Sequence, residues 1–160
     1  MADETEDGAA MALVEFLRAR LDEDEEAARA AAAANPGAAA THWVAEQVDH
    51  RSSTGLRGKG WAVVPERVKG VVIAISPSEI RPLCVTHIAR HDPARVLAEA
   101  EAKRRLLHSH YDYTGVCPRC FDWQNRPTER EPFPCEVVRL LALPYAAHPD
   151  YRDQWRSGRV

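Results

Sequence analysis

The chain lacks any run approaching the roughly 20 apolar residues that a membrane-spanning helix needs, so no membrane partner is expected of its 160 residues. It also lacks a basic stretch followed by an apolar core near its start. Met1 to Gly8 is acidic, and no secretion signal is expected. The expected setting is a reducing cytoplasm, where the four cysteines are metal ligands or plain buried residues before they are disulfides. Lysine is scarce, with three residues against eighteen arginines. What is present is an ordinary globular composition, 45% hydrophobic and 28% charged. That suits one domain with a modest core and excludes a disordered or fibrous chain.

Charge is spread unevenly. Residues 1–35 carry a net −7 and residues 51–107 a net +6. Clustered cations are the electrostatic footprint of nucleic-acid binding, and Lys103, Arg104 and Arg105 are the densest group here. A pI near 6.2 favours the other account, in which the basic middle faces the acidic first helix. The position of the three residues near a helix C-terminus, an end that suits cations, explains much of the cluster without nucleic acid.

Residues 1–9 read as a flexible tail and residues 10–160 as a single domain. Leu13, Phe16, Leu17, Leu21 and Ala28 recur at helical spacing from Ala10 to about Ala34, and Asn35-Pro36-Gly37 stops that helix. Thr41–Val48 alternates apolar and polar as a strand does; Trp61–Val64 and Val71–Ile75 are two further β-rich runs. A polar, Gly-rich loop over Arg51–Gly60 separates the first two. Turn-length connections predict an antiparallel meander rather than a parallel sheet. A short helix is expected over Glu79–Arg90, with Pro82 in its first turn. Asp92-Pro93 is a helix start, with aspartate as N-cap and proline at the first helical position, and this helix runs to about His110. Residues 111–134 are irregular, and Cys135–Ala147 forms a last helix. The fold class expected is α+β: an N-terminal helix packed on a small antiparallel three-stranded meander, then helices bracketing a metal-stapled irregular segment at about 108–137.

The residues that carry chemistry are cysteines. Cys117-Pro118-Arg119-Cys120 is a Cys-x-x-Cys knuckle, whose tight turn brings two thiols to one side of the chain. Cys135 follows at a spacing typical of small zinc modules. A closed tetrahedral site needs a fourth ligand. His110 is the best placed, His108 is the alternative, and His148 and Cys84 are weaker candidates. Zinc competes here with a redox pair and with three unrelated cysteines. A redox Cys-x-x-Cys belongs at a helix N-terminus after a strand, a context this segment does not offer. A Cys₃His zinc site leaves no open position for water, so it is structural rather than catalytic; no organic cofactor is expected.

Other motifs fall short. His87-Ile88-Ala89-Arg90-His91 spaces two histidines as a zincin helix does, but the general-base glutamate is missing. A metal-dependent hydrolase or nuclease using His87, His91 and Asp92 requires the three to converge in a cleft. Ser53 and Gly60 break a Walker loop around Gly58-Lys59-Gly60, and Gly115-Val116-Cys117-Pro118-Arg119 lacks the second glycine of a nucleophile elbow. Trp43, Trp61, Trp123 and Trp155 fit a core or its rim; Trp43 and Trp61, on the sheet, are where base stacking would be looked for.

Three stretches together resemble a family of small uncharacterised proteins from actinomycetes and their phages. They are Leu13 to Asp24, His87 to Leu97 with Glu101 to Arg105, and Leu140 to Tyr151 with Trp155, so the resemblance covers nearly the whole chain. Many members of that family carry a histidine after the basic helix, a Cys-x-x-Cys and a later cysteine, matching His110, Cys117, Cys120 and Cys135; others lack the cysteines. The resemblance therefore implies a structural staple and supplies no activity. The expectation is a non-enzymatic, zinc-binding interaction module whose partner is protein or nucleic acid.

Overall fold

The computed structural model describes residues 3–34, 41–51, 57–67, 71–76, 82–120 and 132–156. Trp123 and the rest of 121–131 lie outside them, as do the ends of several expected loops. The chain is mixed α and β, and its contacts group into two compact units. The first joins Met1–Glu23 to Ala100–Val160; the second is Asp24–Glu99.

Helix α1 spans Asp3–Ala33 and so runs through Asp3–Gly8, where a tail was expected. Its predicted stripe is buried: Leu13, Phe16, Leu17, Leu21 and Ala28 are all at most 7% exposed. In the second unit, β1 (Trp43–Arg51) pairs antiparallel with β2 (Arg57–Pro65) from Trp43↔Pro65 to Arg51↔Arg57. A short strand β3 (Ala74–Ser76) pairs antiparallel with the other edge of β2. The ladder thus passes through Gly58 and Gly60, which composition alone assigns to a loop. Glycine lowers strand propensity, but cross-strand pairing satisfies the backbone groups of β1 and overrides that preference.

Helix α2 (Pro82–Arg90) buries Val85 and Ala89. They close on Val63, with Trp43, Ala45, Trp61 and Ile73 packed around them, so both tryptophans serve the core of this unit. The sheet face carrying Val63 is therefore covered by α2, and the Leu13–Leu17 part of α1, expected to cover the sheet, belongs to the core of the first unit. An apolar stripe shows that a helix buries one face, not which surface receives it. Helix α3 (Pro93–Ser109) begins as expected. Asp92 Oδ1 accepts the Arg95 N–H at 2.8 Å and its Oδ2 accepts the Trp43 N–H at 3.3 Å.

In the first unit, Leu13, Val14, Phe16 and Leu17 pack with Leu107, Cys117, Cys135, Val138, Ala142 and Trp155. Helix α4 is Glu136–Ala142, with Cys135 as its N-cap residue. It stops short of the expected Ala147 because Pro144 cannot donate within an α-helix; the chain tightens into a 3₁₀ turn over Leu143–Tyr145, where Ala146 N donates to Leu143 O at 3.0 Å. Phe16 is ringed by Tyr145, Tyr151 and Trp155, with centroids 6.4, 6.0 and 5.1 Å away. Arg20 lies over the same ring at 5.1 Å and donates to Glu23 through two nitrogens. This ion pair pulls the Glu23 carboxyl below its ordinary range, chiefly through that hydrogen bond.

Candidate metal centre

Four side chains reach one point from three separate pieces of chain. His110 follows the end of α3, where its N–H donates to Leu106 O at 3.0 Å and keeps it on the last helical turn. The chain then makes a tight hairpin turn. Tyr113 and Val116 exchange backbone hydrogen bonds of 2.9 and 3.2 Å, and Thr114 and Gly115 sit at φ 52° and 79°. Positive φ at both central positions is the turn that matches strand twist, and glycine takes it without strain. Asp112 Oδ1 accepts the Gly115 N–H at 2.7 Å and fixes the approach.

The far side of that hairpin presents the knuckle, closed by Cys120 N donating to Cys117 O at 3.2 Å. Val116 also bridges to Pro132, and Phe133 N donates to Gly115 O at 3.0 Å. This pairing brings Cys135 alongside Cys117. Both are fully buried, at 1% and 0% exposure, and His110 is 9% exposed.

His110 Nδ1 lies 3.5 Å from Cys117 Sγ, 3.3 Å from Cys120 Sγ and 3.5 Å from Cys135 Sγ. One ring nitrogen has one lone pair or one proton, so it can make one hydrogen bond and not three. Three sulfurs crowding it at nearly equal distance are instead what four ligands around a common centre look like. A tetrahedral ion with Zn–S of about 2.3 Å and Zn–N of about 2.0–2.1 Å sets an N···S edge of about 3.5–3.6 Å. The four donor atoms all lie within 4.8 Å of one another, and the cysteines are free rather than bridged. The group is close enough to hold a metal ion.

Electrostatics agree with the geometry. Burial, reinforced by the neighbouring sulfurs, pushes the Cys120 thiol up from its ordinary range. Cys135 is also raised, by burial first, with the Val138 backbone N–H working the other way. Thiols held this way resist ionising alone, whereas a reactive redox cysteine needs a lowered value. A divalent cation reverses the balance, because a coordinated thiol gives up its proton.

The other expected residues go elsewhere. His108 is exposed in the last turn of α3. His148 Nδ1 lies 3.1 Å from Arg20, and Cys84 is exposed on α2. Among the described residues, His110, Cys117, Cys120 and Cys135 form the one group of three or more such donors able to hold a metal. His87, His91 and Asp92 therefore do not converge on an ion: Asp92 caps α3 and lies 3.4 Å from His42. Lys103 lies over the Tyr145 ring at 5.5 Å, Arg104 pairs with Asp22 and Arg105 with Glu101. Each basic side chain thus has a partner within the first unit, and the Arg104–Asp22 pair links the basic stretch to the acidic helix.

Sequence reasoning found the four donors and missed what holds them. The Thr114-Gly115 turn and its Asp112 anchor carried a signal, an aspartate three residues before a glycine. The Val116–Pro132 pairing carried none.

Among the described residues, no helix is long and apolar enough to cross a membrane. The model described as "Family of unknown function (DUF6221)" matches residues 10–157, and the chain belongs to that family. No curated protein and no solved structure matches it.

Proposed function

We propose that this member of a family of unknown function binds one zinc ion through His110 Nδ1 and the sulfurs of Cys117, Cys120 and Cys135. In this reading the ion is structural and the protein works as a non-enzymatic interaction module. The observation that carries the reading is the near-equal spacing of three sulfurs around one nitrogen, at 3.3–3.5 Å. Zinc fits the donor set, because soft thiolates with one imidazole in a tetrahedral arrangement are its preferred company. Four protein donors fill the coordination sphere and leave no place for a reacting water. The ion's chemistry here is to neutralise buried thiolates and tie α3, the hairpin and the N-terminus of α4 together. The residues do the rest: burial excludes water, and the turn at Thr114-Gly115 fixes the knuckle.

The test is metal analysis of protein purified without chelator, with Cys117→Ser beside it. One zinc per chain, lost in the variant together with thermal stability, supports the reading. A metal-free chain that is fully folded contradicts it. For the module, capture of partners from the native host at rising salt separates the two partner classes: nucleic-acid binding weakens steeply with salt.

A further inference from the structure

The exposed side of α2 carries His87, and His91 follows directly after the helix's last residue, Arg90; the cysteine centre uses neither. Val85 and Ala89 turn inward to the sheet, which leaves His87 and His91, four residues apart, exposed on the other side. Residues at this spacing are neighbours on a helix surface. Their rings lie 4.4 Å apart, centroid to centroid.

His91 Nδ1 lies 2.9 Å from the carbonyl oxygen of His87, one of the acceptors a helix C-terminus leaves without an intrahelical partner. A carbonyl only accepts, so Nδ1 is the donor, and in the tautomer this selects the lone pair is on Nε2. A ring N–H given to a backbone carbonyl, with the opposite nitrogen free, is the arrangement that orients ligand histidines in metal sites. Spacing supports the same conclusion. Two imidazoles bound side by side at about 2.0–2.1 Å place their centroids about 4.5 Å apart at a 90° angle, and about 5.2 Å apart at the tetrahedral angle. The observed 4.4 Å, with the rings tilted by 48°, keeps the two imidazoles close enough for one nitrogen of each to reach a shared ion.

We infer that His87 and His91 form a two-imidazole surface site for a divalent ion of tetragonal preference, Ni²⁺ or Cu²⁺, with water completing the coordination. The site is exchangeable, in contrast to the closed thiolate centre, and it does not depend on that centre. Asp92 takes no part, since both its oxygens serve the α3 cap, the Trp43 N–H and His42.

The experiment is a calorimetric titration of Ni²⁺ into tag-free, full-length, zinc-supplemented protein, with zinc content measured before and after. Three variants accompany the wild type: His87→Ala, His91→Ala, and His108→Ala as an exposed control. The site predicts one Ni²⁺ per chain, weakened about tenfold or more in each pair variant, unchanged in His108→Ala, and with zinc content equal throughout. Unchanged thermal melting shows that the pair variants fold, as expected for exposed side chains. The inference is overturned if wild type binds no Ni²⁺, if the pair variants bind as tightly as wild type, or if His108→Ala weakens binding equally. Absence of zinc in every sample counts against the cysteine centre alone, because the Ni²⁺ comparison rests on α2.

Discussion

Each of the two units of the chain is ordered by a different means. In Asp24–Glu99 the framework is a backbone ladder running from Trp43↔Pro65 to Arg51↔Arg57. Helix α2 closes that ladder with ordinary aliphatic and aromatic contacts. The other unit has no sheet among its described residues. Its cysteine segment is ordered by a tight turn, two isolated bridges and the convergence of four donor atoms, and two of those donors, Cys117 and Cys135, sit inside its hydrophobic core. On the proposed reading, a unit whose core contains its metal ligands cannot separate metal binding from packing. A unit built on strand pairing can lose a side chain and keep its frame.

The largest expected effect breaks this comparison most directly. Removal of the metal by a strong chelator, or Cys135→Ser, should unfold the cysteine segment. Apparent zinc affinity in small structural sites is worth about 10–16 kcal/mol at neutral pH, which rivals the whole stability of a typical domain, about 5–15 kcal/mol. Hydrogen exchange should show protection lost over 109–120 and 132–138 and retained in β1 and β2. Equal loss in both units would contradict the separation.

Next comes Val63→Ala. Val63 is fully buried beneath α2, and truncation there should cost about 2 kcal/mol through lost burial and the cavity left behind. Chemical denaturation reads the cost, and metal content should stay at the wild-type value. A zinc loss in this variant would show that the units are not independent.

Asp92→Ala should cost about 1 kcal/mol, the usual worth of an N-cap, measured in the same way. A much larger cost would point to the contacts with the Trp43 N–H and His42 as more important than the cap.

The smallest effect is Glu23→Gln in the first unit. Arg20 lowers the Glu23 carboxyl pKa, so its stabilising contribution is fully present above the ordinary carboxylate range. It is lost as pH falls through the lowered value. The difference between wild type and variant should therefore be present at neutral pH and vanish in acid. Glu23 is largely exposed, so solvent screening keeps the difference small. A difference that grew in acid would assign the opposite sign to the pair.

Local chemistry was legible in the sequence and long-range partnership was not. Asp92-Pro93 announced the start of α3, because a side-chain cap and a fixed φ act within one turn. The four donors were legible because a Cys-x-x-Cys turn and a helix end are also local features. The destination of the α1 stripe was not, since Leu13 and Phe16 carry no mark that separates a sheet from the Cys117–Trp155 core. The extent of β2 was hidden by Gly58 and Gly60, whose low propensity is overridden only once β1 lies alongside. The shortening of α4 was readable in Pro144, yet the run Val137–Ala147 is apolar enough to mask it.

The centre itself is tested most directly by X-ray absorption at the zinc edge on the full-length protein. Three sulfurs at about 2.3 Å and one nitrogen at about 2.0–2.1 Å are the predicted shell, with the nitrogen lost in His110→Ala. Four sulfurs, an oxygen in the shell, or a folded chain with no zinc would contradict it.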